Sequence, residues 1–100
     1  MNPNVMTIDE IILIVKPLAE KYKIERIYLF GSYARNEASE DSDLDFLVYG
    51  GDQFRSVSIF SFAEEIRKQT QKNVDAFEIR EINQTSDFYN EIIKERVLIA

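Results

Sequence analysis

The spacing of apolar positions divides the chain into alternating helical and extended segments. Thr7 followed by Glu10 is a capping-box pattern, and Ile8, Ile11, Ile12, Val15, Ala19 and Tyr22 then recur on one helical face. Pro17 falls inside this pattern and predicts a kink or break near Lys16. Arg26-Ile27-Tyr28-Leu29-Phe30 is short, apolar and β-prone, which predicts a buried strand ended by Gly31-Ser32. Tyr33 to about Asn36 reads as a short helix and 37–42 as a polar loop. Leu44, Phe46 and Val48 then alternate with Asp43, Asp45, Leu47 and Tyr49, the mark of a second strand, closed by Gly50-Gly51.

Beyond that pair of glycines, Ile59, Phe62, Ala63 and Ile66 share one face of a helix expected over Gln53 to Gln71. A third strand is expected from Val74 to Ile79. Ser86 to about Arg96 reads as a last helix with Phe88 and Ile92 inward and Tyr89 a further candidate. Val97-Leu98-Ile99 either extends it or forms a terminal strand. Phe54, Phe60 and Tyr89 do not all fit the inward faces, and mark either a partner surface or satellite core contacts. Alternation of this kind predicts an α/β fold, a small mixed β-sheet flanked by helices.

Length and composition narrow the chemistry. One hundred residues suit a single domain, and a chain of this size buries roughly 65% of the surface its unfolded form exposes. The absence of cysteine excludes disulfides and thiolate chemistry, and the absence of histidine excludes Ser-His-Asp triads and His-ligated zinc. A net charge of -6 disfavours direct contact with a nucleic acid backbone and suits a basic partner or a site that holds cations. No apolar run is long enough to span a membrane, and residues 1–4 lack the basic and apolar regions of a signal peptide, so a cytoplasmic protein is expected.

The candidate chemistry lies in Gly31-Ser32-Tyr33-Ala34-Arg35, a gap of seven residues, and Ser42-Asp43-Leu44-Asp45. Asp43 and Asp45 are two apart on an expected strand, so their carboxylates point to one face, where a hard divalent cation would relieve their repulsion. Gly31 allows close backbone approach to a phosphate, and Ser32 offers a hydroxyl at a helix start. Taken singly, the first is an ordinary polar strand face and the second an ordinary Ser-capped turn. Together they place a phosphate cradle beside cation ligands. Arg35 is either part of the nucleotide end of that site or a partner for Glu37, Glu40 or Asp41.

These coupled half-motifs resemble the signature of the MNT-type minimal nucleotidyltransferases of the DNA polymerase β-like superfamily. The resemblance implies nucleotide contacts at Gly31, Ser32, Arg35 and Ser42, and two magnesium ions held by Asp43, Asp45 and a third carboxylate on a neighbouring strand. Asp75, in Val74-Asp75-Ala76-Phe77, is the expected third ligand, placed on the face of Phe77 and Ile79 and buried; Glu78, of opposite strand parity, competes. Where the family often has Gly after the Arg, this chain has Asn36, which tolerates a left-handed backbone.

The resemblance further implies transfer of AMP from ATP to a tyrosine of a HEPN-domain ribonuclease toxin, with this chain as antitoxin. About 20 residues follow the third strand, too few for an acceptor-binding domain, which usually needs about 50 or more. The alternatives are neutralisation of the partner by binding alone, and transfer to a small molecule such as an aminoglycoside.

Overall fold

The computed structural model describes residues 4–100. Its elements are α1 (Ile8–Lys21), β1 (Arg26–Phe30), β2 (Leu44–Tyr49), α2 (Ser58–Thr70), β3 (Val74–Glu78), a 3-10 turn (Ile79–Glu81), α3 (Asp87–Glu95) and β4 (Val97–Leu98). The four strands form one mixed sheet in the order β3-β2-β1-β4. β1 runs antiparallel to β2 and β4, whereas β2 and β3 are parallel, as the α2 crossover between them requires. The expected α/β architecture is therefore present. Among the described residues no helix is long and apolar enough to cross a membrane.

Strand alternation gives the sheet two different faces. Ile27, Leu29, Leu44, Phe46, Val48 and Val74 lie under α1 and α2 and form the main core with Ile11, Val15, Phe62 and Ile66. On the other face Phe30 and Leu47 pack under Ile92 of α3, with Tyr28, Tyr49, Ile79 and Ile82 around them. Leu47 is fully buried there, so β2 is covered on both sides.

Helix α1 starts where its capping box predicts: Thr7 Oγ1 accepts the Glu10 N–H, and the Thr7 N–H donates to the Glu10 carboxylate. It does not break at Pro17 but continues to Lys21. Pro17 and Leu13, the residue whose carbonyl loses its partner, both lie on the exposed side of the helix, where the loss is least costly. Helix α2 begins at Ser58, five residues later than the pattern suggests. Phe54 is buried and lies so tightly over Gly50 that a Cβ there would sit 2.3 Å from its ring, which keeps 51–57 out of a helix.

Strand β3 ends one residue early because the Glu78 carboxylate accepts the Arg80 N–H at 2.6 Å and turns the chain. Ser86 caps α3 through the Tyr89 N–H, and Val97-Leu98 takes the strand option, pairing with Tyr28 and Leu29. Of the inward residues expected on α3, Ile92 is buried, and Phe88, though 47% exposed, turns its ring to the sheet, 6.1 Å from Phe30 and 5.4 Å from Phe77.

Candidate active site

The ends of β1, β2 and β3 bring the two half-motifs together. Phe30 pairs with Asp45, and Asp45 pairs with Asp75, so the carboxylates of adjacent strands are level and share the face not covered by α1 and α2. Asp43 immediately precedes β2 and is exposed. Gly31 leaves β1 with φ +78°, a conformation open to glycine, and passes so close to Asp45 that a Cβ would lie 2.3 Å from Oδ2.

The turn that follows is a single helical turn rather than a short helix. Its backbone bonds are Arg35 N–H to Gly31 O and Glu37 N–H to Ser32 O, at 3.1 and 2.9 Å. Asn36 adopts φ 59°, the left-handed conformation expected of it in place of glycine. Tyr33, the variable position of the motif, is buried and anchors the turn to the main core. Ser32 is half-buried at the turn's start. Ser42 is engaged locally, its Oγ accepting the Ser39 N–H at 2.9 Å, and it lines a polar cavity of about 520 Å³ with Asp43, Lys72 and Asn73.

Arg35 reaches the expected Glu37 at 3.1 Å and, in addition, Glu95 of α3 at 2.8 Å. The other oxygen of Glu95 accepts the Gly31 N–H at 3.0 Å. Glu95 was not foreseen in the sequence, because its partners lie 60 and 64 positions away and no local pattern marks it.

Asp75 differs from expectation. It is exposed and lines a groove of about 530 Å³ between α2 and β3, with Phe60, Arg67 and Phe77 among its walls. Ile79 has left the strand, so Asp75 is not buried between Phe77 and Ile79, and only its register with Asp45 ties it to the site. Glu78 is 2% exposed, and its carboxylate is taken up by Arg80. It faces away from Asp45.

The carboxylates sense one another. Burial, then the charges of Asp75, Asp43 and Glu95, push the Asp45 carboxyl up to about 6, with Arg35 acting in the opposite direction. An all-oxygen set of hard donors at this edge suits magnesium in kind. Yet among the described residues no three acidic side chains are drawn close enough to hold one ion. The expected grip has its strand register, Asp45 level with Asp75 and Asp43 two residues before, while the three carboxylates do not meet around one point.

Residues 14–100 match the family described as polymerase beta, nucleotidyltransferase. The chain belongs to this family. The Methanocaldococcus jannaschii protein provisionally named protein adenylyltransferase MJ0435 is 32% identical over 93 residues, covering 93% of this chain and 92% of that protein. A second protein of that organism, provisionally named protein adenylyltransferase MJ0126, is 47% identical over 49 residues; the match spans 49% of this chain and 47% of that protein, about half of each.

Among solved structures, one provisionally described as a minimal nucleotidyltransferase superposes with a TM-score of 0.74 at 24% identity, over 92% of this chain and 95% of the other. A chain of a toxin–antitoxin complex with AMP-PNP gives 0.75 at 20% identity, over 89% and 72%. A chain of the complex between tri-AMPylated Shewanella oneidensis HEPN toxin and MNT antitoxin gives 0.64 at 19% identity, over 93% and 68%. These superpositions establish the minimal nucleotidyltransferase fold.

Proposed function

We propose that this chain is a magnesium-dependent protein adenylyltransferase that moves AMP from ATP onto a hydroxyl, a tyrosine, of a HEPN-type toxin and so acts as its cytoplasmic antitoxin. The observation that carries the reading is the packing of the Gly31 turn against Asp45, level with Asp75 and two residues from Asp43. That packing supports reading the Gly31 turn as a phosphate seat beside a row of cation ligands at the strand ends. The names of its relatives as protein adenylyltransferases and the toxin–antitoxin complexes that share its fold support the acceptor and the partner.

In the reaction the acceptor hydroxyl gives up its proton to solvent as its oxygen attacks the α-phosphorus, the bond from that phosphorus to the bridging oxygen breaks, and pyrophosphate leaves. Asp43, Asp45 and Asp75 would be the residues to hold magnesium, which when bound would supply positive charge against the triphosphate and lower the pKa of the acceptor hydroxyl. The chain's own task is positioning: the Gly31–Arg35 turn seats phosphate oxygens, with the Ser32 hydroxyl as a side-chain donor and Ser42 at the entrance beside Asp43. Arg35 balances the negative charge around Asp45.

The test is the intact mass of a co-purified HEPN partner after addition of ATP and magnesium. Gain of one or more AMP units is expected, abolished by Asp43→Asn or Asp45→Asn without loss of the folded state. Full transfer by either variant would remove the catalytic assignment. An inhibited partner of unchanged mass would instead favour neutralisation by binding.

A further inference from the structure

The turn read as the phosphate seat already holds an anion from its own chain. Glu95 spans it with both carboxylate oxygens, one on the Gly31 N–H at 3.0 Å and one on Arg35 Nη1 at 2.8 Å. A backbone N–H and a guanidinium are the donors a phosphate oxygen would use there. The Glu95 side chain is only 18% exposed, so this is a seated carboxylate and not a solvated surface group.

Its position is otherwise unfavourable. Glu95 is the last residue of α3, where the helix end is negative, and it faces the carboxylate of Asp45. The two donors offset both costs. A triphosphate offers more charge and more acceptor oxygens, and would compete for the same donors. Two neighbours allow the Glu95 side chain to leave without unravelling its surroundings. Arg35 keeps a second carboxylate, Glu37, at 3.1 Å. Arg96, the next residue, is fixed by stacking 4.4 Å from the Tyr28 ring and by its bond of 2.7 Å to the Tyr49 hydroxyl.

We propose that Glu95 is a positioning residue that stands in for phosphate: it keeps the Gly31–Arg35 turn in nucleotide-ready shape and is displaced when the triphosphate binds. The proposal rests on the nucleotide-binding reading of that turn. An internal competitor lowers apparent affinity by the fraction of molecules in which it occupies the seat. Removing it therefore strengthens nucleotide binding while weakening the nucleotide-free fold, a combination that a fixed structural strap does not produce.

The experiment is calorimetric titration of the full chain with AMP-PNP and magnesium, paired with thermal melts in the absence of nucleotide. Glu95→Gln is expected to bind about tenfold more tightly than the parent and to melt a few degrees lower. If the Gln variant does not fold, Glu95→Asp, which keeps the charge but is too short to reach both donors, carries the measurement with the same expected direction. Equal or weaker binding by the folded variant overturns the placeholder role and leaves the nucleotide site standing. No binding by parent or variant overturns the nucleotide site itself, and the placeholder with it.

Discussion

Gly31 has two constraints at once. Its φ of +78° strains any L side chain, and its α-carbon lies where a methyl group would meet Asp45 Oδ2 at 2.3 Å. Gly31→Ala is expected to cost about 1–2 kcal/mol of stability, because the carboxylate is a movable group that can swing aside. The same swing displaces Asp45 from the site, so transfer should fall roughly a hundredfold, the usual penalty of an ångström's misplacement. Melting curves and transfer rates measured on one preparation check the contrast; a variant that loses stability and activity in step would argue against it.

Asp45 is held at a cost to stability. Its carboxyl is raised to about 6 in the fold, above the value near 4 of an unfolded chain. The folded state therefore binds this proton more tightly, so the penalty on folding is present above pH 6 and disappears as the pH falls through 6 towards 4. Asp45→Asn removes that penalty. It should stabilise the fold by about 1 kcal/mol at pH 7.5 in the presence of a chelator, a figure discounted because the carboxylate is half in solvent. The gain should shrink as the pH approaches 4, and a pH series of denaturant titrations measures it. A gain that grows on acidification would contradict the assigned direction.

At the scale of elements, the aromatic residues of the α2 segment separate by location. Phe54 is buried over Gly50, before the helix begins, whereas Phe60 lies on α2 and is 76% exposed. Phe54→Ala should cost about 3–5 kcal/mol, and Phe60→Ser should stay within about 0.5 kcal/mol, as read by urea denaturation. Similar losses at both positions would mean that the exposed ring carries folding energy after all. The contrast also shows what the sequence could reveal. The Thr7–Glu10 capping box, strand alternation and glycine stops made α1, β1 and β2 legible, because those signals act over a few residues. The start of α2 was not legible, since Phe54 is claimed by the core from a distance and overrides a helical pattern. Pro17 does not break α1 for a related reason: its cost depends on whether the carbonyl it orphans can reach solvent. Within the site, Gly31, Asp43 and Asp45 could be placed by local spacing. Glu95 and the exposure of Asp75 depend on how α3 and β3 dock, which no local spacing encodes.

At the scale of the molecule, the two faces of the sheet are held unequally. One face carries two helices of 14 and 13 residues with seven buried side chains between them, whereas the other carries nine-residue α3 with Ile92 as its one buried residue. Asp45, Asp75 and Glu95 lie on the lightly covered side. A helix with one fully buried side chain, its other contacts being the half-exposed Phe88 ring against Phe30 and Phe77 and the polar ties of Glu95, should open before the rest, because little apolar surface is lost and the main core stays intact. Native-state hydrogen exchange should therefore show the α3 amides opening at lower free energy than those of β1 and β2. Ile92→Ala removes the anchor and should cost about 2–5 kcal/mol, drawn first from the opening energy of α3. That variant should also loosen the Gly31 turn, since Glu95 departs with its helix, and the Gly31 amide should exchange together with α3. If the α3 and β2 amides instead exchanged at one common free energy, the two faces would unfold as a single unit, and the site would lack the separately mobile wall that its uneven covering implies.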